Sequence, residues 1–223
     1  MAGAGSPRAA RGAPGVRQDR ARGAVIRRVG AIGDIHAEDE RLARALEVLG
    51  GEAVDLIVAT GDVVDGPGDV DRCCELLVAH GVQGVRGNHE RWALRGPPRL
   101  SPGATDLATL TEASQRFLRW LPAERTFDTV AGRLLLCHGV GPHDMVQLRP
   151  DHHEGDLADN EAFQELARRR AWDVVIAGHT HEPMDRRLPG GVRWINAGSL
   201  CRDREPVVVV ADLGTGEVRF IPV

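Results

Sequence analysis

Residues 173–181 read DVVIAGHTH: an apolar run from Asp173 to Ala177, a glycine at 178, then His179 and His181 separated by one residue. A short β-branched run bounded by a glycine reads as a buried strand, and the two histidines fall in the loop beyond its carboxyl end. The same arrangement repeats upstream. Val25 to Ile32 turns apolar before Gly33-Asp34-Ile35-His36, and Asp55 to Ala59 precedes Gly61-Asp62-Val63-Val64-Asp65. Val82 to Arg86 precedes a loop over Gly87-Asn88-His89-Glu90, and Arg133 to Cys137 runs into His138-Gly139. Ligands of open α/β sheets bind outside the carboxyl ends of the strands, so the motifs are expected to meet on one edge. Each piece alone is a weak signal, whereas five in order are a strong one.

Between these strands the apolar period changes to that of helices. Leu42, Leu46 and Leu49 mark one over 38–49, and Val70, Cys73, Cys74 and Leu77 mark a second over 69–80. Residues 91–103, with Pro97, Pro98 and Pro102, read as a surface excursion, and Leu107, Leu110, Phe117 and Leu118 place a helix over 105–119. Thr126 to Val130 pairs with Arg133 to Cys137 as a hairpin. Residues 141–159 form a polar loop holding His143, His152 and His153, whose length suggests a binding role. A helix over 160–171, a strand from Val192 to Asn196 and a hairpin of Val207 to Asp212 with Glu217 to Ile221 complete the chain. Two strand sets with helices between them predict an α/β fold, a two-sheet β-sandwich flanked by helices.

The motif side chains are carboxylate, imidazole and amide, with no thiolate among them. That set suits a polynuclear metal site with open positions. Asp34 and His36, two apart at a strand end, can point the same way and chelate one ion. Asp62, the lone carboxylate between the first and third motifs, is the natural bridge. Asn88 offers a neutral carbonyl oxygen, and His138, His179 and His181 complete the shells. His143, His152 and His153 read as loop residues, and Cys73, Cys74 and Cys137 as core packing.

The ordered series GDIH, GDVVDG, GNHE, HG and GHTH resembles the calcineurin-like metallophosphoesterase superfamily, over residues 30–200. The resemblance implies a four-layer αββα arrangement. It implies one metal held by Asp34, His36, Asp62 and His181, and a second held by Asp62, Asn88, His138 and His179. The ions would be divalent or trivalent, manganese foremost, with iron, zinc or cobalt as alternatives. It further implies hydrolysis of a phosphomonoester or phosphodiester by in-line attack of a hydroxide bridging the ions. His89 would protonate the leaving group, and Asp65 would orient that imidazole. Residues 195–199, INAGS, resemble the family's Asn-Pro-Gly-Ser segment with Ala197 in place of proline. Phosphatases of the family carry Arg-Gly after the second Asp of the second motif. Gly66-Pro67 stands there instead, leaving Arg86, Arg91 and Arg202 as substitute phosphate ligands. The rival reading is a scaffold that keeps the fold and uses the metal edge to bind a protein partner.

A net charge of −4 over 223 residues argues against a general nucleic-acid coat. No apolar run is long enough to span a bilayer. Four cysteines without a CxxC pair fit a reducing cytosol. Residues 1–24, mostly Ala, Gly, Pro and Arg, are expected to be a disordered tail before one catalytic domain over 25–223.

Overall fold

Side-chain alternation along the strands builds the layers of this protein. In the strand Gly132–Cys137, Leu134 and Leu136 face a core between two sheets, while Leu135 and Cys137 face a second core under a helix. The strand Val174–Ala177 does the same, with Val174 and Ile176 inward and Val175 and Ala177 outward. Strands buried on both faces read as continuous apolar runs, which is how they are recognisable in the sequence.

The computed structural model describes residues 25–96, 99–169, 171–202 and 204–223. The tail expected over 1–24 lies outside the described residues, as do Pro97 and Pro98. The first sheet contains β1 (Arg28–Ile32), β2 (Leu56–Ala59), β3 (Gln83–Gly84), β9 (Val207–Asp212) and β10 (Glu217–Pro222) in the order β10-β9-β1-β2-β3. β1, β2 and β3 are parallel, and β9 pairs antiparallel to both β1 and β10. The second sheet contains β4 (Glu124–Thr129), β5 (Gly132–Cys137), β6 (Val174–Ala177), β7 (Met184–Arg187) and β8 (Arg193–Asn196) in the order β4-β5-β6-β8-β7. Its central strands β5, β6 and β8 are parallel and its edges antiparallel.

Helices α1 (Asp39–Gly51) and α2 (Val70–Ala79) pack on the outer face of the first sheet through Leu42, Leu46, Leu49, Cys73, Cys74 and Leu77. Helix α4 (Glu112–Trp120) adds Leu118 to that core. α5 (Glu154–Ala158) and α6 (Glu161–Arg169) cover the second sheet with Leu157, Phe163 and Leu166. Helix, sheet, sheet and helix are stacked in four layers, as expected. No helix among the described residues is long and apolar enough to cross a membrane.

Five local expectations need correction, the first being the polar loop expected over 141–159, within which residues 154–158 form helix α5. Gly87 to Glu90 is not a loop but the start of helix α3 (Asn88–Arg95), in which the Gly87 amide donates to Glu90 Oε2 at 2.8 Å. A capped polar helix without an apolar stripe has no period to read, and it takes in residues 91–95 of the expected excursion at 91–103. The helix expected over 105–119 begins only at Glu112, where the Thr111 hydroxyl accepts from the Ser114 amide at 3.3 Å; residues 107–109 form a separate single turn. The third strand shrinks to two residues. β7 is absent from the sequence reading because Met184 is its one buried residue, the mark of a charged edge strand.

Candidate metal centre

Loops leaving β1, β2, β5, β6 and β8, together with the start of α3, meet at the carboxyl edge of both sheets. An isolated parallel bridge between Asp34 and Ser199 ties the two sheets there, with the Leu200 amide donating to the Asp34 carbonyl at 2.8 Å. The motif glycines permit close packing of the loops. A Cβ at Gly178 would collide with the Asp34 carboxylate and Thr60, and one at Gly87 would collide with the Asp62 carboxylate and amide.

Asp34 and Asp62 are buried at the centre. The His179 amide donates to both Asp34 oxygens, at 3.1 and 3.0 Å, and Asp34 Oδ2 lies 3.0 Å from His181 Nε2. Asp62 Oδ1 accepts from the His89 amide at 2.9 Å. Its Oδ2 lies 3.2 Å from His138 Nε2 and 3.9 Å from His36 Nε2, so one carboxylate oxygen stands between the two halves of the site. Asn88 Oδ1 is 2.9 Å from His138 Nε2. His36 Nε2 and His181 Nε2 face each other at 3.3 Å.

The donor chemistry fits cations. His138 Nδ1 lies 2.9 Å from the Thr60 carbonyl and His36 Nδ1 2.9 Å from the Asp65 carbonyl; both nitrogens must therefore carry the proton. In the neutral rings each Nε2 then presents a lone pair to further acceptors, the Asp62 and Asn88 oxygens for His138, and Asp62 with His181 for His36. Such a meeting of lone pairs is satisfied only by positive charge between them. A ring nitrogen fixed on a backbone carbonyl is also the usual support of a metal-ligating histidine.

The protonation equilibria carry the same signature. Burial would lower the pKa of His138, but Asp62 and Asp34 push it up to about 10. His36 is raised against burial to about 9, and His181, chiefly by Asp34, to about 10. Asp62 is held well below the carboxylate range, despite complete burial, by His138, His89 and His36. Burial and the His138 charge push His179 down. Without metal, protons balance the two buried carboxylates, and cations would displace them. Among the described residues, the groups that could hold an ion are His36, Asp62 and His89; Asp62, His138 and His179; and His36, His181 and Cys201.

Strain concentrates here. Seven non-glycine residues have positive φ among those described, and five are motif residues: His36, Asp62, Asp65, His179 and His181, between 46° and 70°. Each left-handed non-glycine residue costs of order 1–3 kcal/mol, so the surrounding contacts must over-determine the loops. Glu90 is one such contact and was not singled out by the sequence. Fully buried, it accepts from the amides of Asp62, Val63, Val64 and Gly87 at 2.9, 2.6, 3.0 and 2.8 Å.

His89 Nδ1 lies 2.6 Å from Asp65 Oδ2, which leaves Nε2 toward the centre, 3.9 Å from Asp62 Oδ2. Asp65 is itself fixed by the Thr105 amide at 2.8 Å and by Arg99 at 2.8 Å and 2.5 Å. Against the effect of burial, His89, Arg99 and Thr105 depress its pKa. A cavity of about 550 Å³ opens over the donors, and a second of about 500 Å³ adjoins it across Asp65, His89 and Trp92. Arg86 lines a smaller recess of about 220 Å³ with Arg91, Arg95 and His138. Arg91 is engaged bidentately by Asp144, at 2.6 and 3.0 Å, and Arg202 by Glu38 at 3.0 Å. His143 pairs with Glu165 at 3.0 Å, and neither it, His152 nor His153 belongs to a donor group. The 141–159 loop instead reaches the centre through Gln147, whose Nε2 donates to His179 Nε2 at 3.4 Å.

A family profile described as the calcineurin-like phosphoesterase superfamily domain matches residues 28–216. The chain belongs to that superfamily. Solved structures share the fold. A metallophosphoesterase from Sphaerobacter thermophilus superposes with a TM-score of 0.66 at 20% identity, over 89% of this chain and 88% of the other. A hypothetical protein from Pyrococcus horikoshii gives 0.70 at 18% identity, over 88% and 87%. A novel archaeal phosphodiesterase gives 0.55 at 18% identity, over 88% and 99%. As a calcineurin-like phosphoesterase the chain has the metal-dependent family's candidate His and Asp donors at the shared sheet edge.

Proposed function

We propose that this calcineurin-like phosphoesterase is a dinuclear metal-dependent hydrolase of phosphoric esters. The observation that carries the reading is the position of Asp62 Oδ2, within 3.2 Å of His138 on one side and 3.9 Å of His36 on the other. Asp34, His36, Asp62 and His181 hold one ion in this reading, and Asp62, Asn88, His138 and His179 the other. When bound, the two cations acidify a water and neutralise charge on the phosphoryl oxygens.

The chain's own groups do the rest. Asp65 fixes the tautomer and orientation of His89. His89 then delivers a proton from Nε2 to the departing alkoxide, a contribution of about 10²–10⁴ in rate. Asn88 and Arg86 orient the phosphoryl group, Arg86 from its recess beside His138. Arg91 joins them only by leaving Asp144. The leaving group occupies the cavity beside His89 and Trp92. Four free cysteines support a cytosolic setting.

The test is hydrolysis of p-nitrophenyl phosphate beside bis-p-nitrophenyl phosphate by metal-loaded protein, with natural nucleotides and phosphopeptides as further substrates. Turnover of any of these esters supports the reading, and the rate ratio reports monoester or diester preference. Two bound ions with no turnover of any ester would favour the scaffold.

A further inference from the structure

We infer that Cys201 is a fifth protein ligand of the ion at His36 and His181, an inference that rests on the dinuclear reading. The motifs supply only oxygen and nitrogen donors. Cys201 lies beyond them, yet its Sγ and the ring nitrogens of His36 and His181 are all within 4.8 Å of one another. A metal–sulfur bond of about 2.3 Å and metal–nitrogen bonds of about 2.0–2.1 Å span most of that separation. The Nε2 atoms of the two imidazoles lie 3.3 Å apart. The His36 side chain is 9% exposed, and its Nδ1 is committed to the Asp65 carbonyl, so Nε2 is the ring nitrogen left for a cation.

The backbone holds the thiol in place. Ser199 Oγ donates to the Asp34 carbonyl at 3.0 Å and accepts from the Cys201 amide at 2.9 Å, which ties the cysteine to the first metal motif. Arg41 grips the other side, donating to the carbonyls of Leu200 and Cys201 at 2.9 and 2.7 Å. Cys201 also lines the cavity over the donors.

Ligation breaks the S–H bond, releases its proton to solvent and forms a metal–sulfur bond, with no change of oxidation state. The consequence is an asymmetric pair. Asp62, Asn88, His138 and His179 remain a hard or borderline set, while the His36 position gains a soft thiolate. Soft ligands select zinc, cobalt or iron over manganese, so the two positions differ in the metal they take.

Cobalt(II) reports this directly. Metal-stripped wild-type protein and Cys201→Ser are titrated with cobalt, and spectra are recorded together with the reactivity of the native thiols. Cys73, Cys74 and Cys137 are at most 2% exposed, so Cys201 is the one thiol a bulky disulfide reagent reaches. The expected result is visible cobalt bands in both proteins, a near-ultraviolet sulfur-to-cobalt charge-transfer band in wild type alone, and loss of thiol reactivity on loading. Zinc affinity falls roughly 10- to 100-fold in Cys201→Ser, as when a supporting group of a metal site is removed, with manganese affinity little changed. Visible bands without charge transfer, beside a thiol that reacts at the same rate before and after loading, would overturn the inference and leave the metal centre standing. No cobalt binding at all would overturn both. The wild-type spectrum and thiol protection decide the matter even where the variant folds poorly.

Discussion

Replacing Glu90 by Gln tests how the strained loops are held. The carboxylate receives two amides on each oxygen, Val63 and Val64 on Oε1 and Asp62 and Gly87 on Oε2. A glutamine can keep one pair through its carbonyl oxygen, but its NH₂ group then faces the other two N–H donors. Two hydrogen bonds to a charged acceptor are lost, at about 1.5–3 kcal/mol each, for a destabilisation of roughly 3–6 kcal/mol. A chain of this size shifts by about 2–4 °C per kcal/mol, which places the fall in Tm at roughly 6–24 °C. The assay is thermal unfolding by circular dichroism in the presence of chelator, so that metal loss contributes nothing. Exposed Glu47, replaced by Gln, serves as the surface control. A fall below about 1 kcal/mol would refute the reasoning, because it would mean that water or a loop shift satisfies the freed amides. Burial and the neighbouring Asp62 push the Glu90 pKa up. With its pKa raised, Glu90's own ionisation equilibrium contributes stability that is full below the unfolded pKa and is lost as pH rises through the folded value, so the variant is compared with wild type at a single neutral pH.

Three further outcomes are expected. Asp62→Asn loses both ions and nearly all hydrolysis, and full metal content in that variant by mass spectrometry would disprove its bridging place. His89→Ala retains its metals but slows alkyl phosphates by about 10²–10⁴ and nitrophenyl esters far less, since only the poorer leaving group needs the proton; equal losses would assign His89 to phosphate binding. Asp71, on α2, accepts from the Thr111 amide at 3.0 Å and hydroxyl at 2.8 Å; burial opposes ionisation, but Ser114 and these bonds hold its carboxyl below the usual carboxylate range. A depressed carboxylate contributes stability above its unfolded pKa and loses it as pH falls through the folded value. The stability gap between wild type and Asp71→Ala, measured by urea unfolding, should therefore be full at neutral pH and close in acid.

What could be read in advance follows from the range of the forces involved. The strands β1, β2, β5 and β6 are apolar runs with a motif at the end, a local signal that placed Asp34, Asp62, His138 and His179 on one edge. The order of the motifs suggested the remaining candidate donors, His36, Asn88 and His181. Contacts made across the fold have no such local mark. Arg99 reaches Asp65 from 34 residues away, and Gln147 reaches His179 from 32, out of segments without periodicity. Glu90 stood in a motif expected to be a loop, and its four amide partners come into view only when the second and third loops pack. Cys201 carries no spacing at all relative to His36, 165 residues earlier in the chain. β7 and the helix α3 were missed because charge on an edge strand and polarity around a short helix erase the periods on which such reading depends.

The central claim is that two cations, shared through Asp62, turn this sheet edge into a hydrolase. Its most direct test is to strip the protein of metal, add ions back in fractions of an equivalent, and follow nitrophenyl ester hydrolysis beside the Asp62→Asn control. No turnover is expected without metal, followed by a rise that levels off at two ions per chain, and a flat response from the variant. Full activity in stripped protein, a plateau at a single ion, or an Asp62→Asn protein as active as wild type would contradict it.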